Sequence, residues 1–181
     1  MQEPYRLRLA VAEDTPQLES LIPLSAHALQ AEHYSREQID AALGSIFAVD
    51  RQLISDGTYF VAEFDGDITG CGGWSRRQSK YGGDSDRDSP DPLLDPQTDP
   101  ARIRAFFVHP DHARRGLGRA IMTACETAIA DAGFRSIEIV ATLTGELLYN
   151  QFGYDTIERS EIAMADGLTL PVCRMARSAI G

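Results

Sequence analysis

The first part of the chain shows one strand-like and two helix-like patterns of apolar residues. Residues 5–10 alternate between polar and apolar side chains, which predicts a strand. Asp14 or Thr15 is then placed to cap a helix, and Pro23 is expected to end or kink that helix. A second helix is predicted from Ser35, where a capping-box pattern begins. We therefore expect one strand and two short helices here.

The middle of the chain predicts a hairpin followed by a long loop. Residues 58–64 are rich in β-branched and aromatic side chains. The Asp65-Gly66 pair is typical of a hairpin turn into a second strand at residues 68–74. Residues 76–101 contain six aspartates and four prolines without apolar periodicity. This segment is interpreted as a long, exposed acidic loop.

The second half predicts a buried strand and the clearest helix of the chain. Residues 103–108 form an almost continuous apolar run, and from Leu117 apolar residues recur at helical spacing until Gly133. The remaining predicted elements are a strand at residues 136–141, a short helix at residues 145–152 and two final strands after residue 155. The order predicts an α/β fold, with a mixed, twisted sheet of about seven strands flanked by about four helices.

Composition narrows the class of protein. A length of 181 residues, 43% of them apolar, is typical of a soluble globular protein and predicts a single domain over residues 1–181. The net charge of −10 argues against nucleic acid and anionic membranes as partners, because phosphate surfaces attract an excess of Lys and Arg. Cys71, Cys125 and Cys173 lie far apart in apolar runs, which favours buried reduced thiols and a cytoplasmic protein. Residues 1–9 lack the apolar core of a signal peptide.

The residues most informative about function join the buried strand to the helix that begins at Leu117. This junction contains Gly116, Gly118 and three arginines within six residues. The N–H groups at a helix start lack partners within the helix and favour an anion, and glycine lets a phosphate approach the backbone. A dinucleotide-binding oxidoreductase is disfavoured because Ile121 stands where its third glycine belongs. We therefore expect a phosphate-containing ligand at this junction.

Three pieces of the sequence resemble the GNAT acetyltransferase superfamily. In family order they are Val108-His109-Pro110, Ala113-Arg114-Arg115-Gly116-Leu117-Gly118, and Tyr149-Asn150-Gln151-Phe152-Gly153-Tyr154. The resemblance is strong over residues 58–160 and weaker in the first 57 residues. Two positions depart from the family pattern: Ala113 replaces the usual Gln or Arg, and Thr142 stands where many members have Asn. The resemblance implies a GNAT-like sheet whose fourth and fifth strands splay apart.

The resemblance also implies the activity and the residues that carry it. The protein would move an acetyl group from acetyl-CoA, its cosubstrate, to a primary amine of a small molecule or peptide. The implied coenzyme-binding residues are Phe106, Phe107, Val108, Arg114, Arg115, Gly116, Leu117, Gly118 and Arg119. The first three would pair with the pantetheine arm like an added strand, and one backbone N–H would stabilise the oxyanion. Tyr149 would donate a proton to the departing thiolate. The alternative is a catalytically silent coenzyme A-binding or ligand-sensing module of the same fold.

The residue that deprotonates the acceptor amine is not identified by the sequence. Glu138 lies on the relevant strand, but its neighbour occupies the family position, so Glu138 is expected to face the other way. His27, His33 and His109 are more typical of hydrogen-bonded surface residues than of catalysts. Deprotonation through water therefore stays open.

The acceptor itself is expected to be a small cationic amine. It would enter between the first two helices and the 76–101 loop, whose aspartates would attract it. The alternative is that these aspartates only keep an exposed loop soluble. Asp84, Asp86 and Asp88 imitate the start of a calcium loop, but Ser89 replaces the required glycine, so no metal is predicted. A homodimer is left open.

Overall fold

The computed structural model describes residues 4–83 and 88–178 and contains a seven-stranded mixed sheet. The strands are β1 (Arg6–Leu9), β2 (Tyr59–Phe64), β3 (Asp67–Ser75), β4 (Ala101–Val108), β5 (Ser136–Thr142), β6 (Asp155–Ala163) and β7 (Thr169–Ser178). The helices are α1 (Thr15–Leu29), α2 (Arg36–Ala42), α3 (Arg51–Ser55), α4 (Leu117–Asp131) and α5 (Leu143–Gln151). The strand order is β1-β2-β3-β4-β5-β7-β6, and only β4 and β5 pair in parallel. The predicted α/β class and seven-stranded sheet are confirmed.

Two local signals in the sequence fold as predicted. Asp65 and Gly66 both have positive φ, 51° and 89°, and form the turn between β2 and β3. Two positive-φ residues give a turn whose twist matches that of the flanking strands. At the start of α2, Ser35 accepts a hydrogen bond from the Gln38 N–H, and the Gln38 side chain accepts one from the Ser35 N–H. The capping box is therefore complete.

Both helices expected at the front of the chain are present, but α1 does not end at Pro23, so that expected end was wrong. The helix continues to Leu29 because its buried face extends on both sides of the proline, with Ile22 before it and Ala26 after it. Burial of such a face outweighs the lost hydrogen bond at the proline. A third helix, α3, was also missed. Asp50 caps it by accepting a hydrogen bond from the Gln52 N–H at 3.0 Å.

The sheet lies between two apolar layers. Helices α1 and α2 cover one face, where the buried side chains include Leu18, Ile22, Ile39, Phe47 and Phe107. Helices α4 and α5 cover the other face, where they include Ile121, Cys125, Ile129, Ile137 and Tyr149. All three cysteines are buried, as predicted. No helix in the described parts of the chain is both long enough and apolar enough to cross a membrane.

Strands β4 and β5 pair over only three residues each and then separate, which confirms the predicted splay. The pairing runs from Ala101 opposite Ile137 to Ile103 opposite Ile139. Further along β4, a β-bulge places Ala105 and Phe106 opposite the single residue Gly72. A gap therefore opens between residues 104–108 and 140–142.

The bulge in β4 is held by a buried tyrosine. Ala105 has a positive φ of 57°, which is uncommon for a residue other than glycine. Its carbonyl oxygen accepts a hydrogen bond from the Tyr59 hydroxyl at 3.1 Å, and the Tyr59 side chain is fully buried. Tyr59 therefore fixes the conformation at which β4 turns away from β5.

The acidic segment of residues 76–101 is anchored to the body of the protein. Most of its described residues are exposed, while residues 84–87 lie outside the description. The Arg77 guanidinium binds both oxygens of the Asp56 carboxylate at 2.8 and 2.9 Å, and Leu94 is buried. The described part of the segment is therefore fixed near both of its ends.

Candidate active site

The gap between β4 and β5 opens into a cleft that faces the solvent. Phe106 and Tyr149 line the cleft from the layer of α4 and α5. Phe47 and Phe107 line it from the layer of α1 and α2. Both layers of the fold therefore contribute to the walls.

The turn before α4 has the geometry of an anion-binding helix start. Gly116 caps the helix with a φ of 87°, and Arg114 also has a positive φ of 60°. The hydrogen bond from the Ala120 N–H to the Gly116 carbonyl closes the first turn at 2.9 Å. The N–H groups of residues 117–119 precede this bond, so no earlier helical carbonyl can accept from them. Leu117 is buried and anchors the turn.

Three arginines surround this helix start. Arg114, Arg115 and Arg119 are all exposed. The Arg119 guanidinium lies 5.2 Å from the centre of the Phe152 ring, a cation–π distance that directs it toward α5. The chain has a net charge of −10, but these side chains concentrate positive potential at the start of α4.

The predicted pantetheine-binding residues of β4 alternate across the sheet. The Phe106 ring packs against the Tyr149 ring, with centroids 6.2 Å apart. Phe107 points into the opposite layer and packs edge-on against Phe47 at 6.0 Å. Gly72 makes room for Phe106, because a Cβ atom at that position would lie 2.7 Å from the Phe106 ring.

The N–H of Val108, the third of these residues, donates to Ser25 Oγ at 3.2 Å. Ser25 is buried in α1 and was missed by the sequence analysis. The sequence feature that could have identified Ser25 is a hydroxyl side chain on the apolar face of the helix, next to Ala26. A ligand that pairs with the Val108 N–H would compete with this serine for it.

Tyr149 is a buried phenol at the inner end of the cleft. Its side chain is 7% exposed and lies between the rings of Phe106 and Tyr154. Burial raises the pKa of the Tyr149 phenol above its ordinary value, so the group stays protonated at neutral pH. Gly145, one turn earlier in α5, lies close to the tyrosine ring, since a Cβ atom there would be 3.0 Å from Cε2.

Thr142 has a structural role at the start of the same helix. It is the N-cap of α5, and its hydroxyl oxygen accepts a hydrogen bond from the Gly145 N–H at 3.1 Å. This hydroxyl therefore helps to set the position from which Tyr149 projects, although Thr142 also lines the cleft.

Glu138 takes part in an ion network away from the cleft. Its carboxylate contacts Arg102, and it also binds Arg174 at 3.0 Å. Neither Glu138 nor Ile137, its neighbour at the family position, lines the cleft. Ile137 packs in the layer of α4 and α5, so Glu138 faces the opposite side of the sheet, as expected.

The three histidines considered as bases also lie outside the cleft lining. His27 Nε2 lies 3.2 Å from an Asp40 carboxylate oxygen. His33 Nδ1 lies 3.0 Å from the Thr144 hydroxyl, and His109 Nδ1 accepts a hydrogen bond from the Asp111 N–H. Each of them has a partner of its own in the fold.

The predicted absence of a metal rested on the aspartate pattern of the acidic loop. Asp84 and Asp86 of that pattern lie outside the described residues. Within residues 4–83 and 88–178, no group of three or more His, Cys, Asp or Glu side chains is arranged to hold a metal ion.

Comparisons with known proteins agree with this geometry. A family model described as an acetyltransferase (GNAT) domain matches residues 55–156. No curated protein matches the sequence. Solved structures with the same fold include a GCN5-related N-acetyltransferase from Rhodopseudomonas palustris, 21% identical with a TM-score of 0.72 and 98% of each chain covered.

Two further structures were solved with the coenzyme. The PaiA N-acetyltransferase from Thermoplasma acidophilum, in complex with coenzyme A, is 12% identical with a TM-score of 0.67, covering 96% of this chain and 98% of that one. YncA from Salmonella typhimurium, solved with its cofactor acetyl-CoA, is 16% identical with a TM-score of 0.65, covering 98% of this chain and 95% of that one. At these identities the likeness shows a shared fold. Because the family model spans more than half of the chain and includes both strands of the splayed pair, the protein belongs to the GNAT acetyltransferase family.

Proposed function

We propose that the protein transfers an acetyl group from acetyl-CoA to a primary amine. The observation that carries this proposal is the proximity of the α4 turn to α5, the helix of the buried phenol. A Cβ atom at Gly118 would lie 3.3 Å from Leu148, the neighbour of Tyr149 in α5. An anion held at the turn and a thioester held in the gap would therefore belong to one ligand. Acetyl-CoA has both groups.

The coenzyme would be held at two places. The N–H groups of residues 117–119, with Arg114, Arg115 and Arg119, would bind the pyrophosphate. The pantetheine arm would run along β4 at residues 106–108, on the edge where β5 has separated from it. Its amide groups would form hydrogen bonds like those of an added strand.

The reaction consists of an attack by the amine and a proton donation by the protein. The amine nitrogen attacks the thioester carbonyl carbon, forming the C–N bond, and a backbone N–H of β4 near Phe106 stabilises the oxyanion. The C–S bond then breaks, and Tyr149 donates its proton to the leaving thiolate. In this proposal the proton lost by the amine passes to water, and water reprotonates the phenol.

The proposal is tested by thiol release from acetyl-CoA with a panel of small amines, amino acids, polyamines and peptides, with mass spectrometry of the products. We expect thiol release that depends on the amine, with one acetyl group added per thiol. Coenzyme binding by calorimetry without acetylation of any amine would instead support the silent or ligand-sensing alternative.

The turn before α4 offers a matched pair of variants. Gly116→Val is expected to weaken acetyl-CoA binding by roughly ten- to hundredfold, because a side chain would disturb the turn and the charge-assisted hydrogen bonds to the pyrophosphate. Gly133, at the other end of the same helix, has the same φ of 87°. Gly133→Val therefore imposes similar backbone strain without touching the turn.

Calorimetry with both folded variants checks this expectation. The dissociation constant should rise for Gly116→Val and stay at the wild-type value for Gly133→Val. Equal affinities in the two variants would show that the pyrophosphate does not bind at Gly116.

A further inference from the structure

Gln30 follows the last residue of α1, and both its N–H and its carbonyl form backbone hydrogen bonds. Its N–H donates to the Ala26 carbonyl at 3.1 Å. Its own carbonyl accepts from the His33 N–H at 3.1 Å and from the Tyr34 N–H at 3.0 Å. The turn after α1 therefore fixes the backbone from which the Gln30 side chain projects.

Tyr34 joins this turn to two other segments that border the cleft. Its hydroxyl donates to the Pro171 carbonyl at 2.5 Å and accepts from the Leu143 N–H at 3.0 Å. These bonds join the turn to β7 and to the start of α5, the helix that carries Tyr149. Gln30 and Tyr149 both line the cleft, and the Tyr34 hydrogen bonds connect the two segments that carry them.

The side-chain carbonyl of Gln30 is buried without a partner. The residue is 7% exposed, and its Oε1 atom has no hydrogen-bond partner within the described parts of the chain. An unpaired buried acceptor loses its hydrogen bonds to water without replacement, so such atoms call for an explanation. Because Gln30 lines the cleft, a ligand with an N–H group could supply the missing donor.

Apolar side chains form a part of the cleft lining. On the layer of α1 and α2, the cleft is lined by Ile46, Phe47, Ala48, Ile162, Leu170 and Val172. These side chains would contact the carbon body of an acceptor, while the cationic residues Lys80 and Arg104 also line the cleft. The acidic loop can attract a protonated amine from solution, but this wall would select among the amines that arrive.

We propose that Gln30 accepts a hydrogen bond from the N–H of the acceptor amine and that the site selects primary amines with an apolar body. The inference rests on the proposed acetyl transfer and specifies its acceptor. An amide suits this role because it orients the nitrogen without carrying charge. A carboxylate in its place would stabilise the ammonium form, which cannot attack the thioester.

The test uses amine binding to the coenzyme A-loaded protein, measured by calorimetry, together with steady-state kinetics. The probes are 2-phenylethylamine and hexylamine as apolar amines, and spermidine and glucosamine as polar ones. We expect the wild type to prefer the apolar pair. Gln30→Met keeps the length of the side chain and removes the acceptor, so it should weaken apolar-amine binding and raise KM by about tenfold. Affinity for acetyl-CoA should not change.

Two further variants separate positioning from a purely structural role. Gln30→Glu should move the acid limb of the pH–rate profile to higher pH, because the new carboxylate raises the pKa of the bound amine. Gln151→Met makes the same change at an exposed site and should match the wild type. Melting temperatures establish that each variant is folded.

The outcomes distinguish this inference from the proposed function. Wild-type amine affinity and KM in Gln30→Met, or a preference for spermidine or glucosamine, would overturn the inference while acetyl transfer stands. Amine binding that depends on Gln30 but gives no thiol release would support the amine site and overturn the proposed function. No binding by any of the four amines would overturn the assigned acceptor class.

Discussion

Replacing Tyr149 by phenylalanine is expected to lower kcat by roughly 10²- to 10⁴-fold, the contribution typical of a general acid. The substitution removes one oxygen and keeps the ring that packs between Phe106 and Tyr154. Because the coenzyme would be held mainly by the α4 turn and the edge of β4, its dissociation constant should stay unchanged. Stopped-flow thiol release and calorimetry on the same preparation measure the two quantities.

Tyr154→Phe is the matched control for this prediction. Tyr154 lies beside Tyr149, but its hydroxyl donates to Glu126 at 3.0 Å and it does not line the cleft. We expect kcat near the wild-type value in this variant. Full activity in Tyr149→Phe would leave Tyr149 as a packing residue, and another group would have to protonate the thiolate.

The pH dependence of the reaction follows from the burial of Tyr149. Burial raises the pKa of its phenol above the ordinary value of 10.0, so the proton donor is fully protonated at every lower pH. Tyr149 should therefore cause no fall in rate as the pH rises toward 10. The rate should instead increase from neutral pH upward, as more of the acceptor amine becomes unprotonated.

The second large effect is expected for Arg104→Met, which should lower the free energy of unfolding by about 3–5 kcal/mol. Arg104 is 4% exposed and binds the Asp50 carboxylate at 2.9 Å, while Asp50 is only 1% exposed. Removing the guanidinium would take a countercharge away from a buried carboxylate. Urea unfolding followed by circular dichroism measures the change.

An exposed ion pair provides the comparison for Arg104→Met. Arg36 and Asp40 lie 3.8 Å apart on the surface of α2, so Arg36→Met should cost less than about 1 kcal/mol. Combining Arg104→Met with Asp50→Asn should recover part of the lost stability, since the buried charge is then gone. A loss no greater than that of Arg36→Met would mean that the buried pair contributes little.

Arg104 also connects the fold to the acceptor side of the cleft. Its guanidinium donates to the carbonyl of Ser79 at 3.0 Å and to that of Gly82. Between these residues, Lys80 and Tyr81 contribute to the cleft wall. Folded Arg104→Met protein should therefore show a raised KM for the amine in addition to its lower stability.

Local patterns in the sequence predicted much of the fold. The Asp65-Gly66 turn and the helix that ends before Gly133 depend on the backbone preferences of a few adjacent residues, and both formed where expected. The continuation of α1 through Pro23 depends instead on a sheet that residues far along the chain build. Local sequence preferences alone could not show that burial of α1 against this sheet outweighs the cost of a proline inside the helix.

The same distinction applies to the candidate site. The α4 turn is encoded by consecutive residues, so the glycines and arginines revealed its place on the chain. Gln30 was missed because its significance comes from a cleft whose walls include residues more than a hundred positions away in β5, α5 and β7. The partnership of Arg104 with Asp50 spans 54 residues and was likewise invisible to local pattern.

The short pairing of β4 with β5 has a consequence for how the sheet opens. In the described sheet, the four strands β1–β4 meet the three strands β5–β7 along only three residue pairs. Local opening should therefore need the least free energy along this junction, and the two halves should behave as separate cooperative units under native conditions. A ligand that spans the gap would add hydrogen bonds from one half to the other. Binding of the cosubstrate would then determine whether the two halves of the sheet unfold separately or together.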